Sequence, residues 1–221
     1  MILNQDKYFA KAKSSERFER KISLKKGQIH FFKPTLYQSG FKKIYENRIV
    51  NSIYFDDEDF SLVRENIDGV SSRIKLRIRF YENDYSNAKL EMKFKSGQLG
   101  RKYYIDMNKT ILTKTQLIED ACQILNNISI NNLYPTSHVK YQREYLINSE
   151  NIRCTVDTNI NSVRLNNYTY YAHADGFYDV CEFKYLPELD KNFREEFVKF
   201  KRFSVRATKS SKYLKSIIIN G

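Results

Sequence analysis

Glycine and proline are scarce in this chain, at seven and three of 221 residues, and no internal repeat or low-complexity linker is visible. That argues for one continuous domain over residues 1–221. Cysteine is as limited: Cys122, Cys154 and Cys181 are odd in number, far apart and without a CxxC. Neither a disulfide framework nor a zinc site is indicated, and buried free thiols are expected. Only three histidines occur, too few and too scattered to be central, and no Ser-His-Asp or Cys-His arrangement is evident, which argues against a covalent protein intermediate. No stretch approaches the ~18 apolar residues of a membrane span. The opening MILNQDKYFAKAKSSERFERK lacks the apolar run of a signal peptide, so the chain reads as soluble and cytoplasmic.

What is abundant is positive charge. There are 38 Lys and Arg against 26 Asp and Glu, a formal charge of +12, which favours phosphate-rich partners: nucleic acid, anionic lipid, nucleotides or polyphosphates. With 41% apolar and 14% aromatic residues the chain can also bury a real core. Strand patterns dominate, at 15–24, 42–55, 71–82, 87–95, 101–107, 137–147, 152–158, 162–172 and 178–185, with a hairpin turning at Asn166 and Asn167. Helices fit between them: Asp57 can cap DEDFSLVREN and Thr113 can cap TKTQLIEDACQILNN. A third helix covers 189–203 with Phe193, Phe197 and Phe200 on one face, and a last one starts near Ser210 and buries Tyr213, Leu214, Ile217 and Ile218. These elements predict an α+β fold, a closed antiparallel β-barrel of about eight strands or a strongly curved sheet, with flanking helices.

The strand IKLRIRFY places Lys75, Arg77 and Arg79 on one face and Ile74, Leu76, Ile78 and Phe80 on the other. The pattern recurs. Glu91, Lys93 and Lys95 oppose Leu90, Met92 and Phe94; Arg17, Glu19 and Lys21 share a face of RFERK; Arg153, Thr155 and Asp157 share one of IRCTVDT; Glu182 and Lys184 share one of CEFKY. For a single strand a solvated polar face is the plainer reading, but five such strands rich in Arg and Lys point to a face turned inward around an anion. The natural filling of such a tunnel is a chain of phosphates. A carboxylate among those cations repels phosphate unless it holds a hard divalent ion such as Mg²⁺ or Mn²⁺. Glu182 is the first choice of ligand and Glu91 and Glu19 the weaker ones, each with a structural ion pair as its alternative role.

In order along the chain, RFERK, SIYFDDEDFSLV, LRIRFY, LEMKFKSGQLGRK, PTSHVKYQREY, IRCTVDT, CEFKY and TKSSKY resemble the VTC domain, the polyphosphate polymerase domain of the vacuolar transporter chaperone complex, within the triphosphate tunnel metalloenzymes. The pieces span about residues 17–213, with SIYFDDEDF and KSSKY the most specific. The resemblance implies that ATP donates a γ-phosphoryl group to a growing polyphosphate chain. It implies that Lys21, Arg77, Arg79, Lys93, Lys102, Arg153, Lys209 and Lys212 grip phosphates, that Ser211 adds a hydroxyl contact, that Arg143 points inward and that Glu182 holds Mn²⁺ or Mg²⁺. Arg77, Arg79, Lys93 and Lys209 are the residues expected to act on the transferring group.

Two departures stand out. Where family members place an arginine in the strand after the proline, this sequence offers His138, and the first strand has one inward glutamate before Lys21 rather than the paired glutamates of the hydrolase and cyclase branch. The chain also has no SPX regulatory domain and no membrane anchor in its 221 residues, so a stand-alone domain is expected, reaching the inner face of a membrane only through a protein partner. The alternatives are an inorganic or nucleoside triphosphatase using the same tunnel, and a non-catalytic module for polyphosphate or RNA; no specific nucleic acid is expected.

Overall fold

The computed structural model describes residues 10–11, 17–96, 99–166, 169–175, 178–203 and 211–220. The strands are β1 (Ala10–Lys11), β2 (Phe18–Lys25), β3 (Lys42–Asp56), β4 (Ser72–Tyr81), β5 (Asp84–Ser96), β6 (Leu99–Asp106), β7 (Tyr134–Ile147), β8 (Arg153–Asn166), β9 (Thr169–Asp175) and β10 (Tyr178–Tyr185). They form a ten-stranded antiparallel sheet in the order β1-β6-β5-β4-β3-β7-β8-β10-β2, with β9 paired to β8.

The expected closed barrel is corrected in one respect. Among the described residues no strand pairing joins β2 to β1 or β6, so the hydrogen-bonded path stays open. The sheet rolls all the same. Glu19 on β2, at one end of the order, reaches Lys93 on β5, near the other end, at 3.6 Å. Both edge strands come from the N-terminal part of the chain, β1 paired to β6 and β2 paired to β10.

The outward face of the roll is oily, as the alternation requires. Leu76, Ile78, Phe80, Leu90, Met92 and Ile53 pack under α3 (Lys114–Asn127), whose start is a capping box between Thr113 and Gln116. Ile22, Leu24, Cys154, Cys181 and Phe183 pack under α1 (Ile29–Gln38) and α4 (Asp190–Phe197). Each fully buried aliphatic or aromatic side chain of this kind contributes about 1.5–3 kcal/mol. The helix α1 was not among the expected elements: Pro34 reads as a breaker, yet Ile29, Phe32 and Leu36 repeat at helical spacing and bury against the sheet. The expected helix at 189–203 tightens into a 3-10 segment over Val198–Phe203, which carries Phe200 onto Phe32 with ring centroids 4.9 Å apart.

Strand β8 covers what was expected to be two strands. It bends at Asn159, where φ is 51° and the pairing to β7 shifts register, but its ladder continues on both sides. Of the expected buried thiols, Cys154 and Cys181 are buried side by side with sulfurs 3.2 Å apart, and Cys122 is half-buried. The turn at 167–168 lies outside the described residues.

The remaining helices meet the inward face. α2 (Ser61–Asp68) is capped by Asp57, which accepts from the Ser61 amide, and by Asp56, which accepts from Leu62 and Val63. Helix α5 (Lys212–Asn220) packs with Val63, Val139, Tyr141 and Ile160 against the inner side of β3, β7 and β8. It buries Tyr213, as expected, and leaves Ile218 exposed at 65%, contrary to expectation, because the helix rests on the sheet along its Tyr213, Ser216 and Ile217 side. Ser216 is anchored there by the Ser137 hydroxyl at 2.6 Å.

Candidate functional site

The antiparallel register decides which cations meet. Across β3, β4, β5 and β6 the inward rungs run Tyr54–Arg77–Glu91–Tyr104, then Lys75–Lys93–Lys102, then Arg73–Lys95. Like charges directly opposite each other destabilise a sheet, so the Lys75–Lys93–Lys102 rung costs stability unless an anion is shared. On the other wall Arg143 of β7 faces Asp157 of β8, and Glu182 of β10 lies between Lys21 of β2 and Thr155 of β8.

Three carboxylate-centred clusters hold most of these cations in place. Glu91 accepts from Arg77 Nη2 at 2.7 Å and Lys102 Nζ at 2.6 Å, with Arg79 Nε at 3.8 Å. Burial alone would raise the Glu91 carboxyl, but Arg77, Arg79 and Lys102 hold it well below the usual carboxylate range. Arg77 also donates to the Tyr54 hydroxyl at 3.2 Å, and Tyr54 stacks on Tyr213 at 4.6 Å. Asp157 is fully buried; it takes a forked pair from Arg143 at 2.6 and 2.7 Å and a third bond from Lys212 at 2.6 Å. Burial again opposes its ionisation, and Arg143 and Lys212 outweigh it.

The third cluster is the only one with two carboxylates. Glu182 takes Lys184 at 2.7 Å on one oxygen and Lys21 at 3.7 Å on the other. Glu19 takes Lys21 at 2.7 Å and Lys93 at 3.6 Å. Burial raises the Glu182 carboxyl, but Lys184, Lys21 and Arg143 keep it well below the usual range, so it is an anion at neutral pH. The buried hydroxyl oxygen of Thr155, its cross-strand neighbour, has no hydrogen-bond partner in the protein, and neither do Arg79 Nε, whose ion pair to Glu91 is too long for one, and the Ser52 hydroxyl. Orphaned polar atoms on the inner face are what a polar ligand would satisfy.

Set against the expected site, the structure brings Lys21, Arg77, Arg79, Lys93, Lys102, Arg143, Ser211, Lys212, Glu19, Glu91 and Glu182 to the inner face. Arg153 starts β8 beside Lys184 and is exposed, at the rim of the wall. Lys209 lies outside the described residues.

His138 turns the other way. It pairs with Ile53, hydrogen-bonds Asn51 at 3.0 Å and lies 6.1 Å from Phe80, on the oily face. Burial, with smaller effects from Lys114 and Lys140, pushes its pKa down to about 4. Because the unfolded chain then binds a proton that the folded one refuses, stability is whole above the ordinary value of 6.5 and falls as pH drops from 6.5 to 4. The folding equilibrium is expected to lose about tenfold per pH unit in that window. His138→Gln should flatten this slope in denaturant titrations run at successive pH values; an unchanged slope would contradict the buried neutral state.

Two inward residues carry more than their sequence suggested. Asp157 stood on the inward face of IRCTVDT, and a lone carboxylate there was the available sign of a counter-ion for Arg143. Lys75 is half-buried, and its amine donates to Ser211 at 3.1 Å.

In sum, Glu19, Glu91, Asp157 and Glu182 hold about twice as many Lys and Arg residues, inside a rolled antiparallel sheet. The inner face of the roll therefore carries an excess of positive charge. The VTC domain family matches residues 4–219, nearly the whole chain, and the protein belongs to that family. No match was found among curated proteins.

The fold is shared with solved structures of low sequence identity. A Hippeastrum protein described as an adenylyl cyclase with a dominant triphosphatase activity aligns with TM-score 0.57 and 15% identity, over 93% of this chain and 97% of that one. A Vibrio parahaemolyticus protein described as an adenylate cyclase aligns with TM-score 0.52 and 15% identity, over 91% and 99%.

Proposed function

We propose that the protein is a metal-dependent polyphosphate polymerase that transfers the γ-phosphoryl group of ATP to the end of an inorganic polyphosphate chain and releases ADP. The family match over residues 4–219, joined to a tunnel with far more cations than carboxylates, is the observation that carries this reading. Phosphoryl transfer asks little covalent chemistry of a protein; positioning and stabilisation of charge supply most of the barrier lowering. The forked guanidinium groups of Arg77 and Arg79 suit the equatorial oxygens of the transferring group, with Lys93 as a point charge beside it, and the family resemblance assigns Lys209 the same role. Lys21, Lys102, Arg143, Arg153, Ser211 and Lys212 are assigned to the flanking phosphates of donor and product. In the reaction a terminal oxygen of the chain bonds to the γ-phosphorus as the bond to the ADP oxygen breaks.

The residues fit a divalent ion at Glu182. Its carboxylate is ionised, Glu19 stands on the same Lys21, and the unpartnered Thr155 hydroxyl adjoins it. Among the described residues no group of three or more His, Cys, Asp or Glu gathers; one or two carboxylates completed by phosphate oxygens and water is the donor set that Mg²⁺ accepts. When bound, Mn²⁺ or Mg²⁺ would screen the phosphate charge and polarise the oxygens of the transferring group. The oxygens of Glu91 are taken by Arg77, Arg79 and Lys102, so its assigned role is to orient those cations.

Water as acceptor would make the same site a triphosphatase, the activity described for the Hippeastrum neighbour. Purified protein incubated with ATP and Mn²⁺ separates the readings. Polymerase activity is expected to yield long acid-labile phosphate chains and ADP; orthophosphate without chains would establish the triphosphatase, and no consumption of ATP would leave a binding module. No described helix is long and apolar enough to cross a membrane. The proposed reading includes a partner protein at the inner face of a membrane that takes up the product.

A further inference from the structure

The interior ion pairs leave some lysines aside: Lys215 donates to the Ser23 hydroxyl at 2.8 Å, and Lys75 stands on the β4 wall among the cations of the site. Among the described residues, Lys21, Arg77, Arg79, Lys93, Lys102, Arg143 and Lys212 each meet a carboxylate oxygen within 4 Å. The amine of Lys75 donates instead to a neutral hydroxyl, that of Ser211 at 3.1 Å. Lys75 stands directly opposite Lys93 on β5, one rung from both Arg73 and Arg77 on its own strand. Lys21 on β2 also acts on it from across the roll. A half-buried ammonium surrounded by cations and bonded to a hydroxyl is unfavourable in the free protein. Retaining it makes physical sense where an external anion completes the site.

We propose that Lys75 and Ser211, with Lys21 and Lys93, form a phosphate subsite separate from the Arg77–Arg79 grip, so that α5 and β4 together hold one further phosphate of a triphosphate or polyphosphate. This rests on the polyphosphate reading above and adds a residue to it. Position favours a phosphate next to the Glu182–Glu19 pair, since Lys21 and Lys93 both touch Glu19. A place nearer the mouth, contributing only to the field, falls to another cation of the same strand. Arg73, farther along β4, is better placed for that role, because its guanidinium already donates to the Val70 carbonyl at 2.7 Å.

A consequence separates this subsite from a merely cationic surface. Burial, then Lys21, Lys93, Arg73 and Arg77, push the Lys75 pKa down to about 8. An arriving phosphate reverses the balance and draws a proton onto the amine. Binding at pH 8.5 should therefore take up protons. Lys102 is also lowered, by burial and by Arg79 and Arg77 against the opposing pull of Glu91, so some uptake has a second source. The share belonging to Lys75 is the part lost when arginine, charged at all working pH values, replaces it.

The experiment is calorimetric titration of the full chain with inorganic tripolyphosphate at pH 8.5, in two buffers of different ionisation enthalpy. Wild type is expected to bind with net proton uptake. Lys75→Arg should keep the affinity within about threefold and lose part of that uptake, since the charge remains. Lys75→Met should weaken binding about tenfold to a hundredfold, the worth of a charge-assisted hydrogen bond. It should also melt at a higher temperature than wild type without anion, because a repelled buried charge is gone. Wild-type affinity and uptake in Lys75→Met, beside intact turnover of ATP by wild type, would overturn the subsite alone. Failure of wild type to bind tripolyphosphate would overturn the polyphosphate reading with it.

Discussion

Glu182→Gln is expected to reduce turnover of ATP by about a hundredfold to a thousandfold, the scale seen when one preorganised charge-stabilising group is removed from a transition state. Binding of tripolyphosphate should persist or tighten. The reason is local: the carboxylate is held by Lys184 at 2.7 Å and Lys21 at 3.7 Å, and neutralising it frees both for phosphate. Loss of turnover together with retained binding separates a metal ligand from a structural ion pair, whose removal would disturb both. Titration of Mn²⁺ followed by electron paramagnetic resonance adds a second measurement, since the variant should bind the ion more weakly in the presence of tripolyphosphate. Unchanged turnover at saturating Mn²⁺ would remove Glu182 from the reaction.

The largest effect on stability is expected at Asp157. Its carboxylate is fully buried and accepts three bonds, two from Arg143 and one from Lys212, so Asp157→Asn leaves two inward cations facing a neutral amide. Breaking one partner out of a buried pair costs about 3–5 kcal/mol, because the charge left behind stays desolvated. Denaturant unfolding should report that loss in buffer without phosphate, and tripolyphosphate should restore a substantial part of it by supplying the missing negative charge. A loss below about 1 kcal/mol would mean that Arg143 and Lys212 are solvated like surface cations. Glu91 and Asp157 thereby serve a common purpose. Each carboxylate fixes the direction of two or three cations while leaving a net positive field for the ligand.

Much of this was legible in the chain. Strict alternation in IKLRIRFY, LEMKFK and CEFKY separates an oily from a basic face, and the buried Leu76, Ile78, Leu90, Met92 and Phe183 lie where that period puts them. The cap at Thr113 was legible because a helix start is a local signal, and the structure added the reciprocal bond to Gln116 three residues on. Helix α1 was hidden by Pro34, and β8 looked broken at Asn159 because a bulge interrupts the period without interrupting the ladder.

The sequence by itself determined the class of the molecule: many antiparallel strands, cations on one face, carboxylates sparse among them, and a succession of motifs that runs nearly its whole length. Those properties follow from period-two geometry and composition, which act over a few residues. Only the tertiary structure decided which charges neutralise each other. That choice depends on the register between strands distant in the chain, which set Arg143 against Asp157 and Arg77 against Glu91 and turned His138 to the oily side. It also left Lys75, one residue among many basic ones in the sequence, without a carboxylate among the described residues, because the residue opposite it is Lys93 and the residue just before α5 offers only the Ser211 hydroxyl.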